Sequence, residues 1–132
     1  MKGGCLCGAV KYTVNRPLRA VVNCHCGQCR KTSGHYVAAT SVARDQIDIT
    51  GAVTWYQSSA TARRGFCATC GANLFWDGAG KNLSIFAGTL DGATRLQTVG
   101  NIYVADKGDY YEITDGLPQA QKYDPDLTTM VE

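Results

Sequence analysis

The seven cysteines of this chain fall in three tight groups: Cys5 and Cys7, then Cys24, Cys26 and Cys29, then Cys67 and Cys70. Gaps of one and two residues suit metal ligation. A CxC pair in extended backbone turns both sulfurs to the same side, and a CxxC pair wraps a tight turn, so each group can present thiolates to one small cation. Gly8, Gly27 and Gly71 each follow a cysteine directly. A glycine there permits positive φ, which helps turn the amide N–H groups of the loop toward thiolate sulfur. The pattern is that of three metal knuckles.

Coordination number then divides the ligands. Seven thiolates cannot fill two four-coordinate sites, whereas a division into four and three closes one site and leaves the other with an open position. Closed zinc sites hold folds and open ones do chemistry. The favoured partition places Cys5, Cys7, Cys67 and Cys70 around a structural ion and Cys24, Cys26 and Cys29 around a second, open one. Spacing alone also allows the central triplet to borrow a fourth cysteine from an end group. Three other readings fare worse. A disulfide framework conflicts with the odd cysteine count and with Met1-Lys2-Gly3-Gly4, which has no apolar stretch of the signal-peptide kind. A thioredoxin-like dithiol at Cys26-Gly27-Gln28-Cys29 would need a βαβ setting with a long amphipathic helix, and the flanking pattern offers none. Free cysteines buried as small hydrophobes would not cluster in this way.

The elements that must carry these knuckles read as short strands. Runs with β-branched and aromatic residues, separated by turn residues, occur at 9–14, 19–23, 36–42, 47–50, 54–57, 63–66, 72–76, 83–87 and 97–104, and helical periodicity is nearly absent. The expected fold class is mainly β, built of short antiparallel strands with little helix. One or two helical turns are expected over 27–33, and an irregular tail over the surface from about 115, where Gly116, Pro118 and Pro125 interrupt the pattern. Joining the first and third knuckles closes a loop of about sixty residues, which removes much entropy from the unfolded chain. The central triplet closes only a local loop.

With 132 residues, 45% of them hydrophobic and 18% charged, the chain reads as one globular domain over 1–132. Net charge is +2 and the basic residues are scattered, which predicts no strong nucleic-acid binding. No run approaches the roughly 20 apolar residues of a membrane span. Seven reduced thiols point to the cytoplasm.

Taken together, Gly3-Gly4-Cys5-Leu6-Cys7-Gly8, Cys24-His25-Cys26-Gly27-Gln28-Cys29-Arg30-Lys31 and Phe66-Cys67-Ala68-Thr69-Cys70-Gly71 resemble the glutathione-dependent formaldehyde-activating family. The similarity continues through Gly88-Thr89-Leu90-Asp91 and Ile102-Tyr103-Val104 ahead of Leu117-Pro118, so it covers nearly the whole chain. The resemblance implies a compact Mss4-like fold with two zinc ions. One would be structural, on Cys5, Cys7, Cys67 and Cys70, and one catalytic, on Cys24, Cys26 and Cys29. It also implies the condensation of glutathione with formaldehyde to S-hydroxymethylglutathione, a carbon–sulfur lyase chemistry run in reverse. A related reaction on another small thiol adduct fits the same site. A non-catalytic, zinc-stabilised binding or chaperone-like module is the alternative from a different class, and a redox or metal sensor acting through the triplet is a third.

Other residues have candidate roles. His25, between two expected ligands, points away from them if the segment is extended, as a neighbour of the site or an exposed group, with metal ligation the competing reading. His35 is a candidate acid or base. Arg30, Lys31, Arg63 and Arg64 could grip the carboxylates of glutathione, since the guanidinium fork suits them. Tyr36, Phe75 and Trp76 are candidate pocket walls, and 109–112 a candidate lid or edge.

Overall fold

The structure is a computed structural model and describes residues 1–129. Two sheets form the scaffold. The smaller is antiparallel, with β1 (Lys2–Gly4), β2 (Lys11–Val14) and β5 (Ile47–Thr50) in the order β1-β2-β5. The larger has seven strands in the order β10-β3-β4-β9-β8-β7-β6. These are β3 (Val21–Cys24), β4 (Val37–Ala43), β6 (Thr54–Gln57), β7 (Arg63–Phe66), β8 (Asn73–Asp77), β9 (Asn82–Phe86) and β10 (Thr98–Ile102). The expectation of a mainly β protein with little helix is met.

Side-chain alternation explains the pairing of the sheets. Along β2 the exposed Lys11 and Thr13 alternate with the buried Tyr12 and Val14, and along β9 Leu83 and Ile85 point inward. Period two puts one face of each strand into a shared core. That core joins Tyr12 and Val14 of the small sheet to Val42, Leu74, Phe75, Leu83 and Ile85 of the large one, with Tyr12 edge-on to Phe75 at a ring separation of 5.4 Å. Gly65 in β7 lets the Trp55 ring lie on the strand, because a Cβ there would stand 2.8 Å from that ring.

Most expected strands appear with shifted ends. Those expected to begin at residues 9, 19 and 36 begin instead at Lys11, Val21 and Val37. The three-residue β1 carries two glycines and no hydrophobic alternation, and it was not foreseen. One pairing departs from the antiparallel expectation: β10 runs parallel to β3. The expected helical turn at 27–33 is α1 (Gly27–Ser33), closed by Gly34 in the left-handed conformation. The tail from 115 is irregular in secondary structure but does not lie free on the surface. Asn101 N–H donates to Pro118 O at 2.9 Å, Ala120 N–H to Asn101 O at 2.8 Å, and Tyr103 N–H to Lys122 O at 3.1 Å. One further turn, α2 (Pro125–Thr128), buries Leu127 against Val22 and Ile102. Among the described residues no helix is long and apolar enough to cross a membrane.

The turn after β8 is held by charge. Arg44 donates to Asp77 Oδ1 at 2.5 Å, to Gly78 O at 2.8 Å and to Gly80 O at 3.0 Å, while Arg63 donates to Asp77 Oδ2 at 2.8 Å. Burial alone would raise the Asp77 carboxyl, but the hydrogen bonds from Arg63 and Arg44 outweigh it and hold the group below the usual carboxylate range. A depressed carboxyl contributes stability above its unfolded pKa of about 3.9 and loses it as pH falls through the folded value. Because both arginines are partly exposed, Asp77→Asn is expected to cost only about 1 kcal/mol at pH 7. Urea unfolding at a series of pH values should show the deficit vanish in acid; a deficit independent of pH would exclude the ion pairs as its source.

Candidate metal centres

Two turns from distant parts of the chain bring four sulfurs together. Cys5 and Cys7 follow β1, where Cys5 N–H donates to Val10 O at 3.0 Å and Val10 N–H donates to Cys5 Sγ at 3.2 Å. Cys67 and Cys70 occupy the turn between β7 and β8, closed by Cys67 N–H to Ala72 O at 3.0 Å and Gly71 N–H to Cys67 O at 2.7 Å. The four Sγ atoms lie within 4.8 Å of one another. Cys5 to Cys7 and Cys7 to Cys67 are both 3.7 Å. A tetrahedron with metal–sulfur bonds of about 2.3 Å has edges of about 3.8 Å, so the spacing fits a four-thiolate zinc ion. A disulfide would require about 2.05 Å, and all seven cysteines are free.

The knuckle glycines divide two to one. Gly8 and Gly71 take positive φ of 83° and 76°, as the knuckle reading expects. Gly27 does not, because it opens α1. The thiols already differ in acidity. Backbone N–H groups of Cys7 and Ala72 hold Cys70 down to about 6. The Ala9 amide pulls Cys7 downward, but burial and the crowding sulfurs of Cys5, Cys67 and Cys70 push it up to about 11.

The second group is local. Cys24 ends β3, Cys26 caps α1 by accepting from Cys29 N–H at 3.4 Å, and Cys29 lies buried in the first turn of the helix. Their Sγ atoms are again within 4.8 Å of one another, and no fourth His, Cys, Asp or Glu joins the group among the described residues. The triplet therefore borrows no cysteine from the ends. Hydrogen bonds from Cys24 and then Cys29 hold the Cys26 thiol down to about 2. The other two are pushed up. Cys24 is raised by Cys26, Cys29 and burial; for Cys29 the bond with Cys24 lowers it, but Cys26 and burial raise it by more. The close sulfurs thus favour ionisation at Cys26 and retention of protons at Cys24 and Cys29. A dication at the centre would take the place of those protons, so this donor set also fits a metal.

The remaining candidates sort themselves around the triplet. His25 is 2% exposed and both ring nitrogens are engaged away from the sulfurs. Nε2 meets Asn101 Oδ1 at 2.9 Å, Nδ1 meets the Tyr111 hydroxyl, and Asn101 Nδ2 donates to Asp115 Oδ2 at 3.1 Å. His25 is therefore not a ligand in this arrangement. Burial pushes its pKa below the ordinary value. His35 is exposed and meets the Tyr110 hydroxyl at 2.9 Å. Both histidines, with Asn23, Tyr36, Asn101 and Tyr111, wall a cavity of about 290 Å³. Tyr36 is thus a pocket wall as expected, whereas Phe75 is fully buried core and Trp76 does not line this cavity. Tyr111, of the candidate lid segment, contributes a wall.

Among the basic candidates, Arg63 is committed to Asp77 and lies over the Trp55 ring at 4.0 Å, and Lys31 is exposed. Arg64 is buried, and its Nη2 is 3.6 Å from Cys29 Sγ. It faces the triplet from β7, a contact across 35 residues that no local motif announces. Asn101 and Asp115 were missed for the same reason, since they reach His25 only through the packing of β10 and the tail.

A metal on Cys5, Cys7, Cys67 and Cys70 ties the start of the chain to its middle, whereas one on the triplet spans six residues. Apparent binding energies of structural zinc are about 10–16 kcal/mol, comparable to the stability of a small domain. Cys67→Ser, or treatment with a strong chelator, is expected to abolish the cooperative thermal transition followed by circular dichroism. Cys26→Ser is expected to stay folded with one metal fewer by elemental analysis. A chelated protein that melts as before would contradict this division.

Comparison with known proteins agrees with this geometry. An uncharacterized lyase of Schizosaccharomyces pombe is 29% identical over 119 residues, covering 86% of this chain and 85% of the relative. A crystal structure of a Rhodobacter sphaeroides protein superposes with a TM-score of 0.60 at 26% identity, covering 75% of this chain and all of that one. The model of the glutathione-dependent formaldehyde-activating enzyme family matches residues 1–106. With four of every five residues inside that match and both cysteine groups within it, the chain belongs to the glutathione-dependent formaldehyde-activating enzyme family.

Proposed function

We propose that the chain is a zinc-dependent carbon–sulfur lyase of the S-(hydroxymethyl)glutathione synthase type, joining a thiol such as glutathione to formaldehyde or a related small aldehyde. Cys24, Cys26 and Cys29 hold the catalytic zinc, and Cys5, Cys7, Cys67 and Cys70 hold a structural one. The observation that carries this reading is the unequal grouping of sulfurs: four enclose one point, and three meet at another with no further ligand among the described residues. A reducing compartment such as the cytoplasm suits seven free thiols.

The metal, when bound, supplies Lewis acidity that keeps a guest thiol ionised at neutral pH. The protein does the rest by placement. Cys24 is presented by a strand end and Cys29 by the first turn of a helix, so two rigid elements converge on the guest position. In the reaction the thiolate sulfur bonds to the aldehyde carbon, the carbonyl π pair moves to oxygen, and that oxygen takes a proton. The reverse sequence breaks the carbon–sulfur bond. The cavity walled by His25, His35, Tyr36 and Tyr111 adjoins the same strand end but is lined by none of the three cysteines.

Magnitude limits what this design can gain. A free thiol of pKa about 8.5 is about 3% ionised at pH 7, so full ionisation raises the reactive fraction at most about 30-fold. The enhancement over buffer should therefore shrink as pH rises from 7 toward 8.5, where the free thiol ionises unaided. Exchange NMR of glutathione and formaldehyde over a protein titration, paired with metal analysis, tests this. Two zinc ions per chain, a protein-dependent exchange rate falling in relative effect with pH, and loss of that rate in Cys26→Ser are expected. An exchange rate equal to that of buffer at every protein concentration would remove the enzyme and leave a zinc-stabilised binding module.

A further inference from the structure

Arg64 is an internal cation without an acid. Its side chain extends from β7, is 6% exposed, and has no ion pair among the described residues, while the neighbouring Arg63 and Arg44 share Asp77. Nη2 is 3.6 Å from Cys29 Sγ and 3.4 Å from Gln28 Oε1. Nε and Nη1 are buried and have no hydrogen-bond partner among the described residues. Burying a guanidinium is costly unless opposite charge compensates it, and among the described residues the source of that charge in contact with Arg64 is the sulfur cluster.

The charge of that cluster depends on its guest. Three thiolates around a dication carry one net negative charge, which a neutral fourth ligand leaves unchanged and a fourth thiolate doubles. Arg64 neutralises the first state and halves the second. Its fork is also only partly used, since Nη2 faces Cys29 while Nε and Nη1, with three N–H donors between them, have no partner among the described residues. We propose that Arg64 is a positioning residue that makes the triplet prefer an anionic sulfur guest, a thiolate, over a neutral donor. The hydrogen bond to Cys29 Sγ acts in the same direction, because it draws electron density from that sulfur and lets the cluster accept a further anion. This inference rests on the reading of Cys24, Cys26 and Cys29 as an open metal site.

Cobalt(II) reports the guest directly through sulfur-to-metal charge-transfer absorption, and the four-cysteine site serves as an internal control because it has no vacancy for a guest. The probes are 2-mercaptoethanol as the anionic guest and imidazole as the neutral one, each titrated into cobalt-loaded protein. In Arg64→Met the thiolate is expected to bind at least ten-fold more weakly, with imidazole changed less than two-fold. Arg64→Lys keeps the charge and loses the fork, and it is expected to retain thiolate binding within about three-fold. Equal loss of both guests in the Met variant, or an unchanged thiolate-to-imidazole ratio, overturns the proposal. Should the Met variant fail to fold or load, the Lys variant decides: a thiolate-to-imidazole ratio reduced ten-fold there marks a packing role and overturns it equally. These outcomes are separable from the lyase reading. A protein that shows the charge preference but no exchange of glutathione with formaldehyde would retain this proposal and lose the enzymatic one.

Discussion

The meeting of Cys7 and Cys67 sulfurs at 3.7 Å, across a separation of 60 residues, is the contact on which the rest of the fold depends. It joins the end of β1, in the small sheet, to the turn between β7 and β8 in the large one. The hydrophobic core continues directly into this point, since Cys67 is itself buried in the cluster of Tyr12, Leu74 and Phe75, and Cys5 and Cys70 pack against it. Sulfur convergence and apolar packing are therefore one constraint seen from two sides. Either alone would leave a long loop to close at full entropic cost; together they close it once.

The triplet is built on a different principle. Its three sulfurs need only a strand end and the first turn of a seven-residue helix, so their spacing is set by local backbone. What is not local is the clamp around them. His25, between two of the cysteines, reaches Asn101 on β10 and through it Asp115, while Arg64 approaches Cys29 from β7 at the far side of the sheet. Strand β3 lies between β10 and β4, so the segment bearing the triplet is held by hydrogen bonds on both edges. A site fixed in this way can keep a vacancy without collapsing, because its geometry does not rely on the missing ligand.

Electrostatically the two cysteine groups also diverge. In the four-sulfur group backbone N–H groups of the knuckle turns lower Cys70, while burial and the neighbouring sulfurs raise Cys7. In the triplet the sulfurs set one another's acidity, lowering Cys26 and raising Cys24 and Cys29. Arg64, whose guanidinium fork had suggested a grip on substrate carboxylates, instead donates to Cys29 of that cluster.

What could be read from the chain alone followed from local geometry. CxC and CxxC spacings, the positive φ of Gly8 and Gly71, the short helix after the central knuckle and the alternation in β2 and β9 all arise within a few residues, and each is visible in the amino-acid order. The division of ligands into four and three was legible as a favoured arithmetic. Tertiary structure decided the rest: that Cys5 and Cys7 meet Cys67 and Cys70, that β10 lies parallel to β3, that the tail buries Leu127, that His25 turns from the sulfurs toward Asn101, and that Arg64 is drawn inside. These outcomes rest on contacts between segments tens of residues apart, whose free energy depends on packing the whole core, and no short stretch of sequence contains that information.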